Sequence, residues 1–182
     1  MGRESDEIAR ELLVVRCQRG EREAFDELIR TWERRLFAFV RKMAADEEEA
    51  WQILQEVWLQ VLRGIARLRD PRRLRAWLYQ VARNTVMDHY RAEYARAGPL
   101  DDDVAESTDD VGVFEDADLV RAGLAKLRVA DREVLVLHFL DDLSVAETAE
   151  VLGIPPGTVK SRLYRAKRAL RAAIDPEGGR HD

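Results

Sequence analysis

The sequence predicts an all-α protein: two small helical domains joined by an acidic flexible linker. Three observations carry this. Apolar residues recur at helical spacing along most of the 182 residues, and strand-like alternation is scarce. One internal stretch, 97–118, breaks the pattern: it holds nine acids, no Lys or Arg, and the breakers Gly98, Pro99 and Gly112. The charged fraction of 36% exceeds the roughly 25% of an average globular protein, as thin helical units with much surface per residue require.

Ile8 to Arg19 reads as a short helix ended by Gly20. Phe25, Leu28, Ile29, Trp32, Leu36, Phe39, Val40 and Met43 then form one amphipathic stripe. Asp46 to Glu49 place negative charge where a helix N-terminus stabilises it, and the next stripe runs Ala50, Ile53, Leu54, Val57, Trp58, Val61, Leu62, Ile65. Asp70 as N-cap with Pro71 at the first helical position opens a fourth helix, carrying Leu74, Trp77, Leu78, Val81 and Thr85 on one side. These four make a first domain, 1–96. After the linker 97–118, a second domain, 119–176, holds the helices Leu119 to Leu127, Asp131 to Leu140, Ser144 to Leu152 and Thr158 to Ile174, followed by a tail, 177–182.

Composition narrows the function classes. The single cysteine, Cys17, excludes an internal disulfide and a multi-thiolate zinc site, and is expected to be a buried small apolar side chain. His89, His138 and His181 stand isolated, so no metal site, cofactor or catalytic residue is expected. No apolar run approaches the ~18 residues of a membrane span and no signal-like stretch opens the chain, which predicts a cytoplasmic protein without membrane insertion. The net charge of −5 argues mildly against nucleic acid, but it is unevenly spread. Residues 60–96 hold nine bases and three acids, and residues 157–174 hold six bases and no acid. With a Debye length of about 8 Å, each basic helix is felt separately.

In the second half, Ser144 and Glu147 form the Ser-x-x-Glu capping box of a helix that stops at Gly153. Ile154-Pro155-Pro156-Gly157 leads into a second helix, so the pair reads as a helix-turn-helix. Ala149 lets the helices approach, Gly153 turns the chain and Val159 packs one onto the other. The opposite face presents Lys160, Ser161, Arg162, Arg165 and Arg168, groups that reach phosphates and guanine edges in a major groove. The bland alternative is a solvated basic helix; the absence of acids, which would form i,i+4 pairs, speaks against it. In the first half, Arg67 to Asn84 interleaves bases with aromatics. Arginines track a phosphate backbone, and exposed aromatics stack on unpaired bases. Trp77 and Leu78 share the apolar phase of Leu74 and Val81 and read as core, whereas Tyr79 and Asn84 lie off it. Spacing alone leaves both readings open.

Five stretches in order carry a family resemblance: Ala24-Phe25-Asp26-Glu27-Leu28, Leu54-Gln55-Glu56-Val57-Trp58, Arg75 to Asn84, Asp131-Arg132-Glu133-Val134-Leu135, and Gly157 to Leu163. The chain resembles a bacterial RNA polymerase sigma factor of the extracytoplasmic-function (ECF) type, reduced to region two and region four. The resemblance implies a region-two-like four-helix domain and a region-four-like helix-turn-helix domain. It implies polymerase contact through Gln52, Gln55, Glu56 and Trp58. Recognition and melting of the minus-ten element would fall to Arg69, Arg72, Arg73, Arg75, Trp77, Tyr79, Arg83, Asn84, Asp88 and Arg91. The minus-thirty-five element would be read by Thr158, Lys160, Ser161, Arg162, Arg165, Lys167 and Arg168. The expected partners are core RNA polymerase, promoter DNA and an anti-sigma factor, with no small-molecule substrate. Two departures stand out: Trp51-Gln52 replaces the family's acidic pair, and Asp70-Pro71-Arg72-Arg73 replaces its Gly-Asp-Ser-Ser-type loop. The linker reaches at most about 70–80 Å when extended, enough to hold the halves on separate elements about two DNA turns apart; it serves either in the RNA path of the polymerase or as a spacer. A stand-alone helix-turn-helix regulator would need only residues 119–182 and leaves the Leu-Gln-Glu and Trp-Leu-Tyr helices unexplained. A nuclease-like enzyme would draw its acids from a linker that has no rigid element to fix them.

Overall fold

A computed structural model describes residues 2–97 and 116–174, and the described residues contain helix and no strand. The first half comprises α1 (Gly2–Gln18), α2 (Arg22–Met43), α3 (Glu47–Gly64) and α4 (Leu74–Ala97). The second comprises α5 (Asp116–Ala125), α6 (Val129–Leu135), α7 (Val145–Leu152) and α8 (Pro156–Ile174). All eight expected helices are present.

Local chemistry sets the joints of the first half. Gly20 takes φ 79° between α1 and α2, where Arg16 clamps the corner through Glu21 at 2.9 Å and Glu27 at 3.0 Å. Asp46 accepts from the Glu49 backbone N–H at 2.8 Å, and the Glu49 carboxylate accepts from Ala45 N–H at 2.6 Å. The start of α3 therefore has reciprocal caps. The Gln18 amide donates to the carbonyls of Ile65 and Leu68, supplying partners to the 3-10 turn Ile65–Arg67 that ends α3. Leu28, Leu36, Phe39, Ile53, Leu54 and Leu78 are fully buried between α2, α3 and α4, each stabilising the fold by about 1.5–3 kcal/mol. Cys17 is buried, as expected, and burial pushes its thiol up to about 11.

Arg132 organises the second half. It is only 4% exposed and donates to the carbonyls of Leu124, Ala125 and Leu127, two of them at 2.9 and 2.7 Å. A guanidinium there satisfies the orphan acceptors at the end of α5 and opposes the negative end of its dipole. The capping box of α7 has both of its bonds, Gly153 takes the left-handed conformation at φ 65°, and Val159, Leu163 and Ala166 bury one side of α8. The helix-turn-helix thus folds as its sequence predicts.

Several expectations are corrected. Pro71 opens a 3-10 turn, Pro71–Arg73, with Asp70 accepting from Arg72 N–H; the α-helix begins at Leu74. Asp131 to Leu140 is two pieces, α6 and a π-helical turn Val136–Leu140 closed by Asp141 N–H on the Val136 carbonyl. The linker is shorter than 97–118 at both ends, since Ala97 belongs to α4 and Asp116 to Asp118 belong to α5. The rest of it, and the tail 177–182, lie outside the described residues. Leu62, placed on the core stripe by spacing, is 54% exposed, because it lies one residue, about 100° around α3, past fully buried Val61. Tyr79 is the reverse case: it is 1% exposed, meets Phe39 edge-to-face at 5.6 Å, and belongs to the core. Finally, the halves pack together, α4 against α7 and α2 against α5, α6 and the π-helical turn.

Candidate nucleic-acid interface

The outer face of α8 carries the candidate duplex-reading residues. Lys160, Ser161, Arg165, Lys167 and Arg168 are exposed, and Thr158 and Arg162 are half-buried. Ser161 donates to the Thr158 carbonyl at 3.0 Å, so its hydroxyl folds back on the helix. Arg165 is a dual residue: its guanidinium meets buried Asp131 at 2.6 Å while its side chain keeps 60% exposure. Spacing did not distinguish it from its neighbours. Tyr164, 68% exposed beside Arg168, widens this face and was missed because tyrosine reads as core at helical spacing.

The second basic element is the turn and first half of α4. Arg69, Arg72, Arg73 and Asn84 are exposed, and Arg75, Trp77 and Arg83 are half-buried. Arg72 pairs with Asp70 at 3.2 Å and holds that carboxyl below its ordinary range. Trp77 lies against Gly64, where an added Cβ would sit 3.0 Å from its ring, so α3 and α4 approach closely only because Gly64 has no side chain. Asp88 and Arg91 pair with each other at 3.1 Å on the exposed surface.

Three of these arginines face carboxylates of the other half. Arg73 donates to Glu150 at 2.8 Å, Arg83 to Glu133 at 2.8 Å, and Arg75 lies 3.8 Å from Glu147 while donating to the Asp141 carbonyl. Burial raises the Glu133 carboxyl against the opposing pull of Arg83. Burial likewise pushes Asp141 up to about 6, although the Lys42 and Arg75 charges and a hydrogen bond from Tyr79 oppose it. These four acids were not singled out as partners of α4. Glu147 reads only as a capping-box residue, and nothing in a linear pattern reports contacts across fifty residues or more.

The candidate polymerase face lies on α3, where Gln52, Gln55 and Glu56 are exposed and Trp58 is half-buried. Leu59 and Leu62 extend it with apolar surface, 50% and 54% exposed. Trp51 stacks on Phe37 at 4.1 Å, and Glu56 meets His89 on α4 at 3.0 Å.

Comparison with known proteins is consistent with this arrangement. Residues 28–96 match the family description Sigma-70 region 2, and residues 117–170 match Sigma-70, region 4. The RNA polymerase sigma-H factor of Pseudomonas aeruginosa is 31% identical over 181 residues, covering 90% of this chain and 93% of that protein. The ECF RNA polymerase sigma factor SigM of Mycobacterium tuberculosis is 33% identical over 151 residues, covering 83% and 77%. Among solved structures, CnrH in complex with the cytosolic domain of CnrY superposes with a TM-score of 0.70 at 25% identity, covering 93% of this chain and 99% of that one. The sigma factor RpoE of Bartonella quintana, solved with the anti-sigma factor NepR, gives the same TM-score at 22% identity, covering 84% and 98%, and supports the fold. With both regions matched in order and full-length relatives above 30% identity, the chain belongs to the sigma-70 family of RNA polymerase sigma factors, in its ECF group.

Proposed function

We propose that α3, α4 and α8 divide the work of a cytoplasmic, non-catalytic promoter-specificity subunit. Gln52, Gln55, Glu56 and Trp58 dock on core RNA polymerase, and exposed Leu59 and Leu62 add apolar area to that contact. Arg69, Arg72, Arg73, Arg75, half-buried Trp77, Arg83 and Asn84, with Asp88 and Arg91 further along α4, engage the minus-ten element. Tyr79 contributes from the core by positioning α4 rather than by stacking on a base. Thr158, Lys160, Ser161, Arg162, Arg165, Lys167 and Arg168 read the minus-thirty-five element as duplex, with cations on phosphates and guanine edges. The two domains accordingly divide between the end of α4 and the start of α5, with the acidic segment between them spanning the two elements. An anti-sigma factor is the expected inhibitor, as NepR is the anti-sigma partner of RpoE in its solved complex.

The observation that carries this reading is the pairing of an acid-free α8 with a polar and apolar α3 face that a DNA-only regulator has no use for. Pull-down of core polymerase with the full chain, followed by transcription from a promoter library, tests it. Core association with discrete start sites is the expected result. Specific duplex binding without core association would favour a stand-alone regulator.

A further inference from the structure

Under the outer face of α8, a buried acid meets an exposed arginine. Asp131, on α6, keeps 5% of its side chain exposed, whereas Arg165 keeps 60%. Arg165 Nε donates to Asp131 Oδ1 at 3.2 Å and to Oδ2 at 3.3 Å, and Nη2 donates to Oδ1 at 2.6 Å. One edge of the guanidinium is therefore closed against the protein. The N–H groups of Nη1 and the second N–H of Nη2 stay open, and Nη1 meets no acceptor among the described residues. That open edge is the pair of parallel donors that matches O6 and N7 of guanine in a major groove. We propose that Asp131 is a positioning residue for base recognition: it clamps the Nε edge of Arg165 and so directs the Nη1 and Nη2 edge at one guanine of the upstream duplex. This rests on the reading of α8 as the duplex-reading helix.

A tether between α6 and α8 does not need this pair. Val159, Leu163 and Ala166 already bury one side of α8, and a buried carboxylate is costly unless it is paired. Among the described residues, no other cation of α8 is bonded to a buried acid. Lys167 lies over the Phe139 ring and Arg168 over Tyr164. The clamp has two consequences for recognition. It fixes the guanidinium before DNA arrives, so less side-chain freedom is lost on binding. It also cancels much of the local charge, which weakens the pull of Arg165 on phosphates and leaves base contact as its main use.

The test assembles the full chain with core RNA polymerase, offers a library of duplexes randomised over the upstream element, and sequences the bound fraction. The wild type should enrich guanine at one position that Arg165→Lys flattens, because an ammonium pairs with Asp131 but presents no fork. Lysine is chosen over alanine, which would strand a buried carboxylate. Asp131→Asn keeps the shape of the side chain, and the arginine it releases is exposed. It should flatten the same position, its guanine preference falling about five- to tenfold, while preferences elsewhere are kept. Binding of the same holoenzyme to a fluorescein-labelled scrambled duplex should tighten about two- to fourfold, with a salt dependence steeper by about one ion, since a cation is released to meet phosphate. A guanine preference that survives Asp131→Asn but is lost in Arg165→Lys would overturn the positioning role and leave the reading of α8 intact. Equal loss at every position, with the salt dependence unmoved, would mark the pair as structural and overturn it too, as would an Arg165→Lys profile identical to that of the wild type. A wild-type holoenzyme that enriches no upstream sequence would overturn the reading of α8 itself, and the positioning role with it.

Discussion

Replacing Arg132 by Met probes the fold of the promoter-reading half at its most concentrated polar contact. Met keeps most of the buried stem and removes the guanidinium, leaving the Leu124, Ala125 and Leu127 carbonyls without their donor. Hydrogen bonds from a charged donor contribute about 1.5–3 kcal/mol each. The 3.4 Å contact to Leu127 counts for least, and water can reach part of the vacated end of α5. The expected loss is therefore about 3–5 kcal/mol, in the range seen when one partner of a buried charged cluster is removed. Against a total stability of about 5–15 kcal/mol, that leaves α5 to α8 marginal. Urea unfolding followed by circular dichroism measures it. Arg132→Lys should recover part of the loss, because an ammonium cannot fork across several carbonyls. A loss below about 1 kcal/mol for the Met variant, with the denaturant slope unchanged, would refute the assignment of Arg132 as the clamp on α5.

Other substitutions separate stability from recognition. Gly153→Ala meets no neighbour but forces a side chain into φ 65°, and should cost about 1–2 kcal/mol in the same unfolding assay. Arg162→Ala should weaken binding to duplex upstream promoter DNA by about 1–3 kcal/mol while core polymerase association stays at the wild-type level; equal loss of both would mark the residue as structural. The Cys17 thiol, raised to about 11 by burial, should react with iodoacetamide at pH 8 at least about 100-fold more slowly in the native chain than in urea, because only the thiolate attacks. Equal rates would contradict its burial.

The legibility of this protein follows the range of its interactions. Helices, caps and the helix-turn-helix rest on contacts within a few residues, so the Ser144–Glu147 capping box, the Gly153 turn and the Asp70 cap were all readable in advance. Helical phase was less so. Leu62 and Tyr79 sit beside rather than on their stripes, where packing against neighbouring elements decides between solvent and core, and Tyr79 is drawn inward by Phe39 and Asp141. Least legible were the pairs Arg83 with Glu133, Arg75 with Glu147 and Arg73 with Glu150. Each joins residues fifty or more positions apart across the acidic segment. Charge counted by segment revealed the two basic helices but not that one is covered by carboxylates of the half that carries the other. The total of −5 hides both facts.

This chain confers promoter specificity on RNA polymerase. The most direct measurement adds the purified full chain to core enzyme and a genomic-fragment library, then maps the 5′ ends of the transcripts. Discrete start sites sharing an upstream and a downstream element are expected, absent with core enzyme alone and reduced at the upstream element's expense by Arg162→Ala. Transcripts indistinguishable from those of core enzyme alone, with no core association by the chain, would contradict it.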